Sequence, residues 1–382
     1  MRTLRVIGGV DPAFGGPSVS AIESCIAAQR AGVHVTIAFA ADTAATGQLR
    51  ARLEAEGVDV VSFPLLPIAR ARSRRWGVSP ELTRWLFRNA GRFDVVHTHG
   101  SWTFTTLCTG IAALIHRRPA VLTPHETLTS FDLAKSRAPS RLAKRLVRVL
   151  YTRVFQLMVA ASVLERDESG SVAPSRWAVL YHPVPAAGHI VRRPLHDDRL
   201  TIGFLGRPDP KKNLDLLLEA LALLPAEARL RVAGVDPEAA PDAIEARVEW
   251  LGFVGGDEKE RFLDSIDVLA MPSSFECFGV AAAEALAAGA PVVVSDRTGL
   301  AELVAREACG LVVGCEVREL AAALRRFLAD PELLRRCAAR TEAARAELSH
   351  AAHGAALRRE YERLLVSAAA GHARSAVSGE PA

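Results

Sequence analysis

The sequence lacks several features that would have settled its class at once. No apolar run reaches the roughly 18 residues that a membrane-spanning helix needs, because Arg, Asp, Glu or His interrupts every candidate. The short run Leu4–Ile7 behind Met1-Arg-Thr is too brief for the core of a secretion signal and ends in Gly8-Gly9, so no export signal is evident. The six cysteines, at 25, 108, 277, 309, 315 and 337, form no C-x-x-C pair and no spacing with His that suits zinc. Reduced, buried thiols in the cytoplasm are the expectation. Basic residues number 47 against 43 acidic, a net charge of only +4, so global charge gives no reason to expect a nucleic-acid partner. What remains is a globular composition, 49% hydrophobic and 24% charged, at a length that suggests two or three domains.

Apolar runs of four to eight residues alternate with helix-length amphipathic segments along the chain, the pattern of parallel strands covered by helices on both faces. In the first half, 4–8, 33–40, 94–97 and 120–123 read as strands, and 18–31 and 48–56 as helices. The opening is repeated at Leu200-Thr-Ile-Gly-Phe-Leu-Gly206, where a strand again runs into glycine ahead of a helix near Leu214. Strands follow at 229–233, 248–251, 268–271 and 291–294. Two α/β domains are therefore expected, at 1–190 and 199–345, joined by a Pro- and charge-rich linker near 185–198. A C-terminal helix over 346–366 is expected to pack back towards the first domain, with a disordered tail over 367–382.

Three loops carry candidate chemistry. The first is Ser273-Ser-Phe-Glu276-Cys-Phe278-Gly279-Val280-Ala-Ala-Ala-Glu284, two glutamates eight apart between two strands. Helical rise over eight residues is roughly 12 Å, the scale of a nucleotide sugar, and the helix N-terminus near Gly279 suits a pyrophosphate between the two carboxylates. Glu284 is flanked almost wholly by alanines, a setting in which a solitary acid needs a reason. The second is Gly206-Arg207-Pro-Asp-Pro-Lys211-Lys212, cations just beyond a strand end, where α/β sheets bind ligands. An Arg fork and a Lys point charge there suit phosphate oxygens. The third is Gly8-Gly9-Val-Asp-Pro-Ala-Phe-Gly15-Gly16, which lets backbone approach a ligand but does not match G-x-G-x-x-G, arguing against a nicotinamide or flavin. His97, His99 and His125 end strands in the first half, without the spacing of a metal site; His125 suits a pocket, while His97 reads equally well as a packed core residue.

In this order, the three loops resemble the retaining glycosyltransferases of family 4, whose GT-B fold sets two Rossmann-like domains across a central interdomain cleft. The likeness runs from Val6 to about Leu365 and is strongest in the E-x7-E pair, Glu276 and Glu284, followed by Gly289-Ala-Pro-Val-Val-Val-Ser and Gly299-Leu-Ala-Glu302. The resemblance implies transfer of a hexose-type sugar from a UDP- or GDP-sugar to a glycan or polyprenol-linked acceptor in surface polysaccharide or glycoconjugate synthesis, with no metal and no cofactor. By the same resemblance, Glu284 holds the ribose, Glu276 the donor sugar hydroxyls, and backbone at Phe278, Gly279 and Val280 the phosphates. Arg207 and Lys212 match diphosphate-binding cations, and Phe253 and Val254 lie in the segment whose backbone reads the base. His125 matches a strand-end histidine near the reacting sugar, and Gly15 and Gly16 an acceptor-side loop. The chain departs from the family pattern at Glu126, where glycine is common, at Cys277, and at Tyr181-His182-Pro183-Val184. Those departures leave open a second reading, a partner subunit that binds nucleotide sugar without turnover.

One further segment stands out. From 135 to 153 there are seven basic residues and no acid, with Leu142, Leu146, Val149 and Leu150 at helical spacing. Such a helix either packs its apolar stripe on the first domain or lies on anionic lipid, which would put the protein at the inner face of the cytoplasmic membrane. The basic run 70–76 would add to such a surface.

Overall fold

The computed structural model describes residues 1–10, 16–41, 46–66, 78–136, 138–170, 176–185, 199–236 and 244–378. The chain divides into two compact units, one formed by Met1–Pro183 with His350–Ala382 and the other by Val184–Ser349.

The first unit is built on a parallel sheet of β1 (Arg2–Ile7), β2 (His34–Ala40), β3 (Asp59–Phe63), β4 (Val95–His99), β5 (Ala120–Thr123), β6 (Leu157–Ala160) and β7 (Arg176–Val179). Their order is β3-β2-β1-β4-β5-β6-β7, so the direction of winding reverses between β1 and β4. The crossovers carry α1 (Gly16–Arg30), α2 (Gly47–Ala55), α3 (Pro80–Asn89), α4 (Phe104–Ile115), α5 (Ser130–Ala134), α6 (Ala138–Val154) and α7 (Val163–Ser169). Helix starts are written locally: Ser79 caps α3 ahead of Pro80, Thr103 caps α4 and Ser162 caps α7, each hydroxyl accepting from a first-turn backbone N–H. Strand residues alternate between two cores, with Val35, Ile37 and Phe39 of β2 on one face and Ala38 and Ala40 on the other.

The second unit repeats the plan with β8 (Leu200–Leu205), β9 (Ala228–Ala233), β10 (Val248–Trp250), β11 (Val268–Met271), β12 (Val292–Ser295) and β13 (Gly310–Val313), ordered β10-β9-β8-β11-β12-β13. Its helices are α8 (Leu214–Ala222), α9 (Asp257–Asp264), α10 (Val280–Ala287), α11 (Ala301–Glu307), α12 (Val317–Ala329) and α13 (Pro331–Glu347). The winding reverses between β8 and β11. In both sheets this is the crevice where doubly wound folds bind ligands.

Helix α14 (His350–Ser378) closes the chain and belongs to the first unit. Leu357, Tyr361 and Leu364 enter the core beneath α1. At Gly354 the two helices approach so closely that an added Cβ would lie 2.1 Å from the carbonyl oxygen of Ala27. The expected tail at 367–382 is corrected here: α14 continues to Ser378, as the strong helix preference of Ala368, Ala369 and Ala370 favours. The helix begins at His350 and not at 346, the residues before it forming α13. The division between the units falls at Pro183/Val184 and not at 190, and the linker expected near 185–198 lies almost wholly outside the described residues.

Candidate functional site

In the second unit, two loops meet at the switch point. After β8 the chain passes Gly206 and the exposed Arg207 into a single 3-10 turn, Pro210–Lys212, started by Asp209, whose carboxylate accepts from Lys211 N–H. Asn213 ends that turn in the left-handed conformation at φ 54° and donates from its amide to the carbonyl of Pro272 at 2.8 Å. Ser274 N–H in turn donates to the carbonyl of Lys211 at 2.8 Å, so the loops after β8 and β11 are tied backbone to backbone. Glu276 sits on that seam. Its N–H donates to Arg297 and its carbonyl accepts from Gly299, which fixes the backbone of the motif as a short parallel bridge.

The side chains follow from this frame. Lys212 Nζ lies 2.6 Å from Glu276 Oε1, and Lys211 Nζ 3.9 Å from the same oxygen. Glu276 is buried, so the pair is held in a setting where charge is weakly screened. Gly279 then turns the chain into α10 at φ 100°. An added Cβ there would lie 2.6 Å from Met271 Cε and 3.0 Å from Thr298 Cγ2, so both conformation and space call for glycine. The buried ring of Phe278 anchors the loop, leaving its backbone and that of Val280 at the helix start. The first N–H groups of α10 have no partner within the helix, and no acid occupies its first turn, which suits an anion. Glu284, one turn in, reaches Lys259 of α9 at 2.6 Å. Because Glu276 precedes α10 by four residues, helical rise does not set the separation of the two carboxylates, contrary to the roughly 12 Å expected for a continuous helix. Phe253 and Val254 lie between β10 and α9 at the sheet edge, with Phe253 82% exposed.

In the first unit, the strand ends at the switch point carry imidazoles. His125 follows β5 with φ 51° and Glu126 with φ 72°, two consecutive non-glycine residues in the left-handed region. This is backbone strain at a strand end, and it explains why glycine suits position 126. The turn is held from below by Glu165, wholly buried, whose carboxylate accepts from Glu126 N–H at 2.6 Å and Ala161 N–H at 2.7 Å. Burial nevertheless pushes the Glu165 carboxyl up to about 7. His125 Nε2 lies 3.0 Å from His99 Nδ1. The rings of His97 and His99 stack at 4.7 Å, and His182 approaches His125 at 5.0 Å.

Behind them Arg5, fully buried in β1, donates to Ser24 at 2.5 Å, to Tyr361 at 2.7 Å and to His97 Nδ1. It makes no ion pair with a carboxylate among the described residues. Burial, with the Arg5 charge adding to it, lowers His125 to about 3 and His353 to about 4 and holds His97 and His99 well below their ordinary value; burial and the neighbouring histidines do the same to His182. The imidazoles are neutral at physiological pH. Among the described residues no three His, Cys, Asp or Glu side chains are arranged to hold a metal ion.

Of the residues singled out from the sequence, Lys212 and Glu276 are brought into contact, Phe278, Gly279 and Val280 lead into α10, and Glu284 takes a partner on α9. Gly16 opens α1, while Gly15 and the basic run 70–76 lie outside the described residues. Arg5, Glu165, His353 and Tyr361 were missed. A signal existed for one of them: Arg5 interrupts an otherwise apolar strand, Leu4-Arg5-Val6-Ile7.

Two family models match in tandem. Residues 14–187 match Glycosyltransferase Family 4, and 189–344 match Glycosyl transferases group 1. The chain belongs to glycosyltransferase family 4. A D-inositol 3-phosphate glycosyltransferase from Rhodococcus jostii is 29% identical over 370 residues, covering 85% of this chain and 79% of that one. An uncharacterized glycosyltransferase from Methanocaldococcus jannaschii is 36% identical over 128 residues, only 31% of this chain and 33% of the relative. Among solved structures, HepE of Anabaena in complex with UDP superposes with a TM-score of 0.74 at 20% identity, over 95% of this chain and 100% of that one. The fold is GT-B, two α/β domains on parallel sheets, and the enzyme is a glycosyltransferase.

Proposed function

We propose that this glycosyltransferase moves a hexosyl group, with retention of anomeric configuration and without a metal ion, from a UDP- or GDP-sugar to a glycan or polyprenol-linked acceptor in surface polysaccharide or glycoconjugate synthesis. The observation that carries the reading is the meeting of Lys212 and Glu276 at the switch point, beside the N-terminus of α10. Arg207, Lys212 and the first N–H groups of α10 receive the diphosphate, Glu276 the sugar hydroxyls, Glu284 the ribose, and the backbone at Phe253 and Val254 the base. The solved HepE structures, one with UDP and one with UDP-glucose, support a nucleoside-diphosphate-sugar donor.

In the step itself, the bond between C1 of the sugar and the β-phosphate oxygen breaks, and a bond forms between C1 and the acceptor hydroxyl oxygen on the same face. The acceptor proton leaves on the departing diphosphate. Negative charge grows on that leaving group, and fixed cations and helix N–H groups stabilise it. His125, held neutral, serves as a hydrogen-bond partner of the sugar rather than as a cation. The test is the product: a transferred sugar whose anomeric proton coupling matches that of the donor supports the reading, and inversion contradicts it.

The acceptor reading draws on α6. Leu142, Leu146, Val149 and Leu150 are 44–65% exposed, and among the described side chains of the helix the buried ones are Arg148, Tyr151 and Val154. The packing of the apolar stripe on the first domain is thereby corrected. Helix α4, packed beside α6, adds exposed Ile111, Leu114 and Ile115. With Lys135, Arg145 and Arg153 exposed around this patch, we propose that it rests on anionic lipid and presents the enzyme to a lipid-linked acceptor. No helix among the described residues is long and apolar enough to cross a membrane.

A further inference from the structure

We infer that His99 is a positioning residue that fixes which nitrogen of His125 carries the proton. The inference starts from an orphan. His99 is 4% exposed, its Nδ1 lies 3.0 Å from His125 Nε2, and its Nε2 is buried without a hydrogen-bond partner among the described residues. That Nε2 belongs to a ring lining a small cavity with Ser20, Ser24, His97, His182 and His353. Two neutral tautomers of the pair are available. If His125 Nε2 donated, His99 would carry its own proton on Nε2, an N–H buried with no acceptor. If His99 Nδ1 donates, Nε2 is left as a bare lone pair, the kind of unpaired group that folded proteins tolerate better than an orphaned N–H.

The neighbouring ring does not compete. A guanidinium only donates, so the Arg5 contact makes His97 Nδ1 an acceptor, and His97 Nε2–H is then the donor to Thr123 Oγ1 at 2.8 Å. His97 therefore meets His99 only by stacking. The chain of donors runs from His99 Nδ1–H into His125 Nε2, and the proton of His125 sits on Nδ1. That nitrogen makes no hydrogen bond among the described residues, and His125 is held at the end of β5 by its left-handed backbone. His99 thus turns His125 into a directed Nδ1–H donor for an oxygen of the transferred sugar, which rests on the reading of His125 as a sugar contact.

The test uses the full-length protein with 15N-labelled histidine at neutral pH, comparing wild type, His99→Asn and His99→Leu. Asparagine can place an amide N–H near the position of the imidazole Nδ1; leucine cannot. Long-range 1H–15N correlations should show His125 protonated on Nδ1 in wild type and in H99N, and shifted towards Nε2 in H99L. Donor turnover should fall at least about ten-fold in kcat for H99L, with little change in donor KM, and stay within about three-fold for H99N. Wild-type His125 protonated on Nε2 would overturn the inference, as would equal losses in both variants with an unchanged tautomer. A tautomer switch in H99L without loss of kcat supports the positioning contact and contradicts instead the reading of His125 as a sugar contact.

Discussion

The ammonium of Lys212 lies 2.6 Å from the carboxylate of Glu276, so charge ties the loop after β8 to the loop after β11 at the switch point of the second unit. On the proposed reading the two charges have separable duties. Lys212→Met removes a phosphate partner and should weaken nucleoside-diphosphate binding by at least about ten-fold, or ~1.4 kcal/mol. Glu276→Gln leaves the phosphates untouched, so affinity should stay within about three-fold while kcat falls by about a hundred-fold. Titration calorimetry beside steady-state kinetics separates them, and wild-type kcat in the glutamine variant would contradict the assignment.

Gly279 is required twice over, by its φ of 100° and by the side chains of Met271 and Thr298 where a Cβ would stand. Gly279→Ala should destabilise the second unit by about 1–3 kcal/mol and rotate the first N–H groups of α10 away from the phosphates. Urea unfolding and diphosphate affinity should fall together; an alanine variant with unchanged affinity would remove α10 from the donor site.

The buried histidines make the first unit acid-sensitive. Their folded values lie below the ordinary value of about 6.5, so the unfolded chain binds protons that the folded chain refuses. Their contribution to stability is complete above about pH 6.5 and is lost as pH falls below it, down to the values of about 4 and about 3 for His353 and His125. Glu165, pushed up to about 7, works in the opposite direction and is a single group against five. Hydrogen exchange of amides in β1, β4 and β5 should therefore quicken between pH 7 and 5.5 beyond the intrinsic chemistry, with net uptake of more than one proton on opening. Protection that rises on acidification would contradict the neutral histidine array.

The exposed face of α6 should bind vesicles containing phosphatidylglycerol at low salt and release them as salt rises. Replacing Leu142, Leu146 and Leu150 with serine should weaken that binding by at least about ten-fold, since each leucine contributes on the order of 1.5–3 kcal/mol when fully buried. Absence of binding by the wild-type protein at low salt would contradict the lipid reading.

The winding of both sheets was legible because strands buried on both faces read as unbroken apolar runs, as in Val292–Val294 and Ala120–Leu122. The strands β3, β6, β7 and β13 were not: β3, β7 and β13 are short sheet edges, only partly buried, and β6, though buried, is a run of only four residues. The meeting of the loops after β8 and β11 was legible because the residues concerned are local, three cations and two acids close to two strand ends. The histidine array was not, since Arg5 meets Tyr361 across 356 positions, a pairing that no local pattern carries. In α6 the periodicity identified a helix and an apolar stripe but not the side on which the core lies. Tyr151 and Val154 took the buried face and left the leucines out.

The most direct test of the account is calorimetric titration of UDP, GDP and their sugars in the presence of a chelator, against wild type and Glu284→Ala. The account predicts that one nucleoside diphosphate binds wild type with its affinity unchanged by the chelator, and that the alanine variant, which leaves Lys259 without its carboxylate, loses that binding. Absence of binding by every nucleotide, or equal affinity in the variant, would contradict the assignment of the donor site to the loops after β8 and β11.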